Sequence, residues 1–419
     1  MRRFVLFFSA LLFSIGFVSC REGALEDDTV PEDDLVPRED IVLTRTQAEY
    51  IEANNTFALD LFRRISAIEN GEGVLLSPIS LTFAFGMVNN GAAGQTKEEI
   101  DKTLGFGTDK ESLNDFCSMM LSSSAKVDPS TTIEIANSAV VNSQYASLKD
   151  SFTKTIEKNY GAYVCYKNFS KDDVKGLINS WCGEKTHGMI PELLKEQVDP
   201  SEYAHFLNAT YFKGIWSSKF NKSDTRKEEF TLWDGSKVKV NMMRQTDKFS
   251  YSTLSGMGEA LCLPYGNQAY RMIVILPEKG LEETLSALSL ESWNKLISGL
   301  STYKVDVKLP SFESEYNAED LKDILQEMGI KTAFSNAADF SGMTETPIHI
   351  SNVIQKTKIK VDEQGSEAAA VTDITMKGNS IGTAPELRFV EFHADRPFIY
   401  AITEVSTGAI FFIGQYTGK

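Results

Sequence analysis

The chain has 419 residues, 42% of them hydrophobic and 24% charged, and a formal net charge of −16. That composition excludes collagen-like, disordered and disulfide-framework chains, and so acidic a chain makes nucleic acid a poor partner. With only four histidines and five cysteines, a metal site would use most of the available ligands, so neither a metal nor any other cofactor is expected.

Residues 1–19 read as an export signal: Arg2 and Arg3, an apolar run from Phe4 to Phe17, then the small residue Ser19. The run is about 15 residues, short of the roughly 20 needed to span a bilayer. Phe17-Val18-Ser19-Cys20 resembles a bacterial lipobox, which makes Cys20 the lipidated first residue of an envelope lipoprotein, in the outer membrane or at the cell surface. Residues 20–45, with nine acids and three arginines, are expected to form a solvated tether. Cys117, Cys165, Cys182 and Cys262 show no metal-like spacing and read as packed thiols.

From residue 46 to 419 there is no linker or internal repeat, so one domain is expected. Ser77 and Pro78 open a helix carrying the apolar run Leu81–Val88. Alternation at Ile133 and Ile135 predicts a strand, the unbroken apolar run Met272–Leu276 a strand covered on both faces, and Val305, Val307 and Leu309 another. Leu321, Ile324, Leu325 and Met328 keep helical spacing, with Asn317 as the expected cap and Gly329 as the stop. Residues 357–361 alternate as a strand, and residues 389–393, 398–402 and 409–413 read as three more. Helices and strands mix without a βαβ rhythm, so the fold class is α+β.

Between the strand ending at Val361 and Leu387 lies a stretch without hydrophobic periodicity. Taken in twos, Ser366, Ala368, Ala370, Thr372, Ile374 and Met376 are uncharged, while Glu367, Asp373 and Lys377 fall on the other parity. That is strand patterning with one buried face, placed where the sequence otherwise reads as an exposed loop. Burying Ile374 or Met376 is worth roughly 1.5–3 kcal/mol each, whereas a charge on that face would cost several kcal/mol. The motif Gly378-Asn379-Ser380-Ile381-Gly382 matches the hydrolase G-x-S-x-G but lacks the buried strand before it and the helix after it that a nucleophile elbow needs.

Five segments resemble serpins: Glu363–Ala370 the proximal hinge, Phe392–Ile402 the C-terminal signature, Asn208–Trp216 the Asn-x-x-x-Phe-Lys-Gly-x-Trp stretch, Leu76–Ser80 an opening-helix motif, and Phe334–Gly342 a further family stretch. The resemblance covers residues 46–416 and implies a serpin fold with a large central sheet and an exposed reactive loop at about 363–387. It implies irreversible inhibition of serine proteases, with cysteine proteases left open as a second class of target. The protease cuts the loop and becomes an acyl-enzyme, and the loop inserts into the main sheet as an extra strand. A non-inhibitory binding or carrier module is the alternative.

By motif, Glu363, Gly365, Ser366, Glu367, Ala368, Ala369 and Ala370 form the hinge. Ser77, Ser80, Asn208, Gln355 and Trp216 match the shutter and breach. Gln355 stands where the family has a histidine, with Asn208 as its expected partner. The seventeenth residue from Glu363 is Asn379, so Asn379–Ser380 is the expected reactive bond, with Lys377–Gly378 and Met376–Lys377 left open. The stretch matching the family's heparin-binding helix holds only Lys110 and Lys126, so no polyanion cofactor is expected. The partners implied are target proteases and, through Cys20, a membrane; the chain is expected to be a monomer and not an enzyme.

Overall fold

The computed structural model describes residues 36–107, 109–145, 147–318, 321–351, 353–366 and 387–419. In chain order the elements are α1 (Arg45–Glu69), β1 (Val74–Leu76), α2 (Pro78–Gly91), α3 (Gly94–Leu104), α4 (Lys110–Ser124), β2 (Thr132–Asn142), α5 (Asp150–Tyr160), β3 (Tyr163–Lys167), α6 (Val174–Lys185) and β4 (Ala204–Ile215). Next come β5 (Arg226–Thr231), β6 (Lys237–Leu254), β7 (Gly258–Tyr265), β8 (Tyr270–Pro277), α7 (Leu281–Ala287), α8 (Leu290–Ser298), β9 (Ser301–Pro310) and β10 (Phe312–Ala318). The chain closes with α9 (Lys322–Met328), β11 (Gln355–Val361), β12 (Gly365–Ser366), β13 (Phe389–His393), β14 (Phe398–Glu404) and β15 (Ile410–Tyr416).

The strands form two sheets. One runs β1-β15-β14-β8-β7-β6-β9-β13 with β5 beside β6; the other runs β10-β11-β12-β4-β2-β3. Only β2–β3 and β9–β13 are parallel pairs among the described ladders. This is the α+β arrangement expected. Every residue of β14 and β15 is buried, and so is Met272–Leu276 within β8, the apolar run expected to be covered on both faces. Helix α2 packs against both β4 and β15 and is buried nearly all round, which is why its sequence is apolar without an amphipathic stripe.

Helix α1 starts from a capping box in which Thr44 Oγ1 accepts from Gln47 N and Gln47 Oε1 accepts from Thr44 N. The body begins before residue 46. Ile41 is buried and its N–H donates to Ser406 Oγ at 2.9 Å, and Asn267 Nδ2 donates to Val36 O at 3.3 Å. The last part of the expected tether therefore lies along the domain, because an apolar Ile41 gains by covering the core.

One expected cap is corrected. Asn317 does not cap α9: it belongs to β10, whose seven residues pair in unbroken register with β11, so ladder bonding outweighs the local cap signal. Ser77 is the N-cap residue of α2 with Pro78 opening the helix, as expected, although its side chain makes no cap bond. Gly329 ends α9 as predicted. Cys117, Cys165, Cys182 and Cys262 are free and buried; burial pushes the Cys117 thiol up to about 12 against an opposing hydrogen bond from Tyr160.

Candidate functional site

Strand β12 is two residues long and stands between β4 and β11. Gly365 and Ser366 pair antiparallel with Ile215 and Gly214 on one side, and Ser366 pairs antiparallel with Val361 on the other. Since β12 opposes both neighbours, β4 and β11 run the same way, and the position between them suits an antiparallel strand. Among the described residues, the ladders join β4 to β11 through β12 alone.

Glycine at 365 is required by that closeness. A Cβ there would lie 2.0 Å from the Gly214 carbonyl oxygen, with φ at +156°. The preceding turn is held by a backbone bond and a side-chain bond of its own: Asp362 N donates to Gly365 O at 2.9 Å, and Gln364 N to the Asp362 carboxylate Oδ1 at 2.9 Å.

Trp216 fastens this turn to β4. Its indole Nε1 donates to Asp362 O at 2.9 Å, and its backbone N–H donates to Gln364 O at 2.8 Å. Glu363 is held twice, by Phe220 N donating to its carbonyl at 3.0 Å and by Thr225 Oγ1 donating to its carboxylate at 2.7 Å. Ser366 is fully buried, and its Oγ shares a hydrogen bond of 2.6 Å with the Tyr265 hydroxyl. Tyr265 in turn stacks on Trp216, and burial raises its phenol well above the ordinary value, against the lowering effect of the Ser366 bond. The inward direction of Ser366 is the one its uncharged parity predicts. Tyr265 and Thr225 are not legible in the sequence as members of this site, since each meets it only through tertiary contact.

Further down, the expected shutter residues fall into two separate chains of hydrogen bonds. Gln355 is buried and bonds the backbone of Ser77 on both sides of its amide: Ser77 N donates to Gln355 Oε1 at 3.1 Å, and Gln355 Nε2 donates to Ser77 O at 2.8 Å. Asn208 Nδ2 donates to Asn137 Oδ1 at 2.7 Å, and Thr210 Oγ1 donates to Asn208 Oδ1 at 3.0 Å. The expected Gln355–Asn208 bond is thus replaced by one to Ser77, because the amide can satisfy both its donor and its acceptor on one backbone unit. Ser77 Oγ is buried without a hydrogen-bond partner among the described residues. Ser80, Asn208 and Gln355 all line one cavity of about 520 Å³, with Phe85, Phe340 and Ile350 among its apolar walls.

Glu367, Ala368, Ala369 and Ala370 of the hinge lie outside the described residues, as do Met376, Lys377, Asn379, Ser380 and Cys20. Lys110, in the stretch compared with a polyanion-binding helix, spends its ammonium on the Asn90 and Ala92 carbonyls at 3.2 and 3.1 Å.

A family model, Serpin (serine protease inhibitor), matches residues 52–418. The human leukocyte elastase inhibitor is 34% identical over 381 residues, spanning 87% of this chain and 98% of that protein. The native-state crystal structure of a thermophilic serpin, tengpin, superposes with a TM-score of 0.80 at 26% identity, covering 92% of this chain and 97% of the other. Thyroxine-binding globulin in complex with thyroxine gives a TM-score of 0.78 at 26% identity, covering 88% and 98%.

Proposed function

The chain belongs to the serpin family, and from that premise we propose that it is an irreversible, suicide-substrate inhibitor of serine proteases, with cysteine proteases as the second class to be tested. The protease's nucleophile attacks the carbonyl carbon at Asn379, with Lys377 and Met376 as the alternative positions. An acyl-enzyme forms, and the new amine at Ser380 leaves. The freed arm then zips downward from Ser366 between β4 and β11 and carries the protease with it.

The observation that supports this reading is the register of β12. It already places Ser366 inward between two strands that point the same way. Continued downward on insertion, that register would set Ala368 opposite Phe212 and Ile359, Ala370 opposite Thr210 and Thr357, and Thr372 opposite Asn208 and Gln355. Small apolar groups would meet the core, and a hydroxyl would meet the two shutter amides. No charge would be buried on that face.

Incubation with a panel of proteases tests the reading. A covalent complex that survives denaturing electrophoresis is expected, with a C-terminal peptide whose mass gives the reactive bond. Cleavage without a complex would contradict inhibition and favour the binding or carrier alternative. The proposal also retains the export signal at 1–19, the lipid on Cys20 and display at the envelope surface of a bacterium. Mass spectrometry of the mature N-terminus should find a diacylglyceryl group on Cys20, and an unmodified thiol there would refute the anchor.

A further inference from the structure

On the outer face of the sheet formed by β6, β9 and β13, Lys248 stands directly opposite Lys304 in antiparallel register, and Phe389 stands beside Lys304 in parallel register. All three are exposed, Phe389 at 56%, while the intervening Phe249 and Val305 point into the core. Two like charges directly opposed on neighbouring strands destabilise a sheet. Two rows on, the same face again sets like charges opposite one another, Arg244 and Lys308, but there each cation is neutralised by an acid. Asp306 accepts from Arg244, Thr246 and His393, and Lys308 pairs with Glu228 at 2.6 Å. Neither Lys248 nor Lys304 has an ion pair with a described residue. A local rule broken beside a well-neutralised row, in a chain of net charge −16, is the pattern of a surface kept for a partner.

We propose that Lys248, Lys304 and Phe389 form a docking surface for an acidic, partly apolar rim on the attacking protease; this rests on the inhibitory reading above. The position favours that partner. Phe389 opens the strand that follows the loop, and a protease engaged at residues 376–380 is joined to it by at most about 30–45 Å of chain, roughly the width of a small domain. The lysine pair offsets the acidic field locally and speeds the encounter of an acidic protease, while Phe389 gives an apolar foothold.

The test uses the full mature chain and two proteases it traps, one with an acidic and one with a basic surface. The readout is the second-order association rate from low to high salt. For the acidic protease, Lys248→Glu with Lys304→Glu should lower the rate roughly tenfold or more at low salt, with the difference shrinking as salt rises. Phe389→Ala should slow association without changing the salt slope. Lys304→Glu alone should slow association while leaving the unfolding temperature equal or higher, since it turns a repulsive pair into an attractive one. Rates that stay within roughly twofold across variants and salt would overturn the docking surface while leaving inhibition intact. Lysines that bind heparin without affecting protease association would overturn it as well. Failure of the wild-type chain to trap any protease would overturn both readings.

Discussion

Tyr265 lies flat against Trp216, ring centroids 4.3 Å apart and planes 13° apart, and its hydroxyl meets Ser366 at 2.6 Å. The stack joins β7 to the end of β4 and sets the floor on which the loop's first inward residue rests. Tyr265→Phe should cost about 1 kcal/mol of stability and should weaken the seat of Ser366. Denaturant unfolding followed by tryptophan fluorescence checks this, and an unchanged midpoint would argue against the bond.

Gly365→Ala places a methyl group 2.0 Å from the Gly214 carbonyl oxygen, a separation that backbone movement must relieve. Stability should fall by roughly 1–3 kcal/mol, and β12 should no longer lead the chain between β4 and β11. The expected readout is a higher ratio of cleaved inhibitor to covalent complex at a fixed protease dose. An unchanged ratio would mean that β12 plays no part in insertion.

If the loop inserts in the register of β12, the next position, Glu367, would stand opposite Lys213 on β4 and Lys360 on β11. Insertion would then form a cross-strand charge pair on each side, each worth about 0.2–1 kcal/mol. Glu367→Lys should reduce the gain in unfolding temperature on loop cleavage, and Lys213→Glu in the same chain should restore part of it. Absence of rescue would place Glu367 elsewhere in the cleaved form.

Gln355→Ala leaves the Ser77 N–H without its acceptor, at a cost of roughly 1–3 kcal/mol. Gln355→His should be destabilised further, relative to the native chain, as pH falls through about 6.5, because a cationic ring at this buried place is penalised by desolvation. Urea midpoints of the two chains from about pH 5 to 8 decide the matter; parallel curves would contradict the prediction.

Asp306 ties β9 to β6 and β13. Burial alone would raise its carboxyl, but hydrogen bonds from Arg244, Thr246 and His393 outweigh that and bring it down to about 2. A depressed carboxyl stabilises the fold fully above its unfolded value near 4, and that contribution is lost as pH falls toward 2. Asp306→Asn should therefore be less stable than the native chain at pH 6, with the gap closing between about pH 4 and 2. A gap independent of pH would assign the loss to packing rather than charge.

Patterns local to a few residues are legible in the sequence. The apolar runs of β8 and α2, the stop at Gly329 and the inward parity of Ser366 all appear in the fold as the sequence predicts. Partnerships across the fold are not legible. Nothing in the neighbourhood of Gln355 reveals that its amide closes on Ser77, 278 positions away, nor that Tyr265 seats Ser366, 101 positions away. Asn317 shows the opposite failure: its surroundings spell a helix cap, but pairing with Lys356 holds it in a strand. The end of the tether departs from expectation for a similar reason. Acidic composition hides Ile41 and Leu43, which dock on the body.

Trapping by insertion requires the arm below Ser366 to take the place between β4 and β11 once it is cut. Calorimetric unfolding of the full mature chain before and after a single cut in the 376–381 window asks this directly. The cut molecule is expected to melt well above the intact one, because each new strand residue adds ladder bonds on two sides. A cut molecule that melts at or below the intact temperature would contradict insertion.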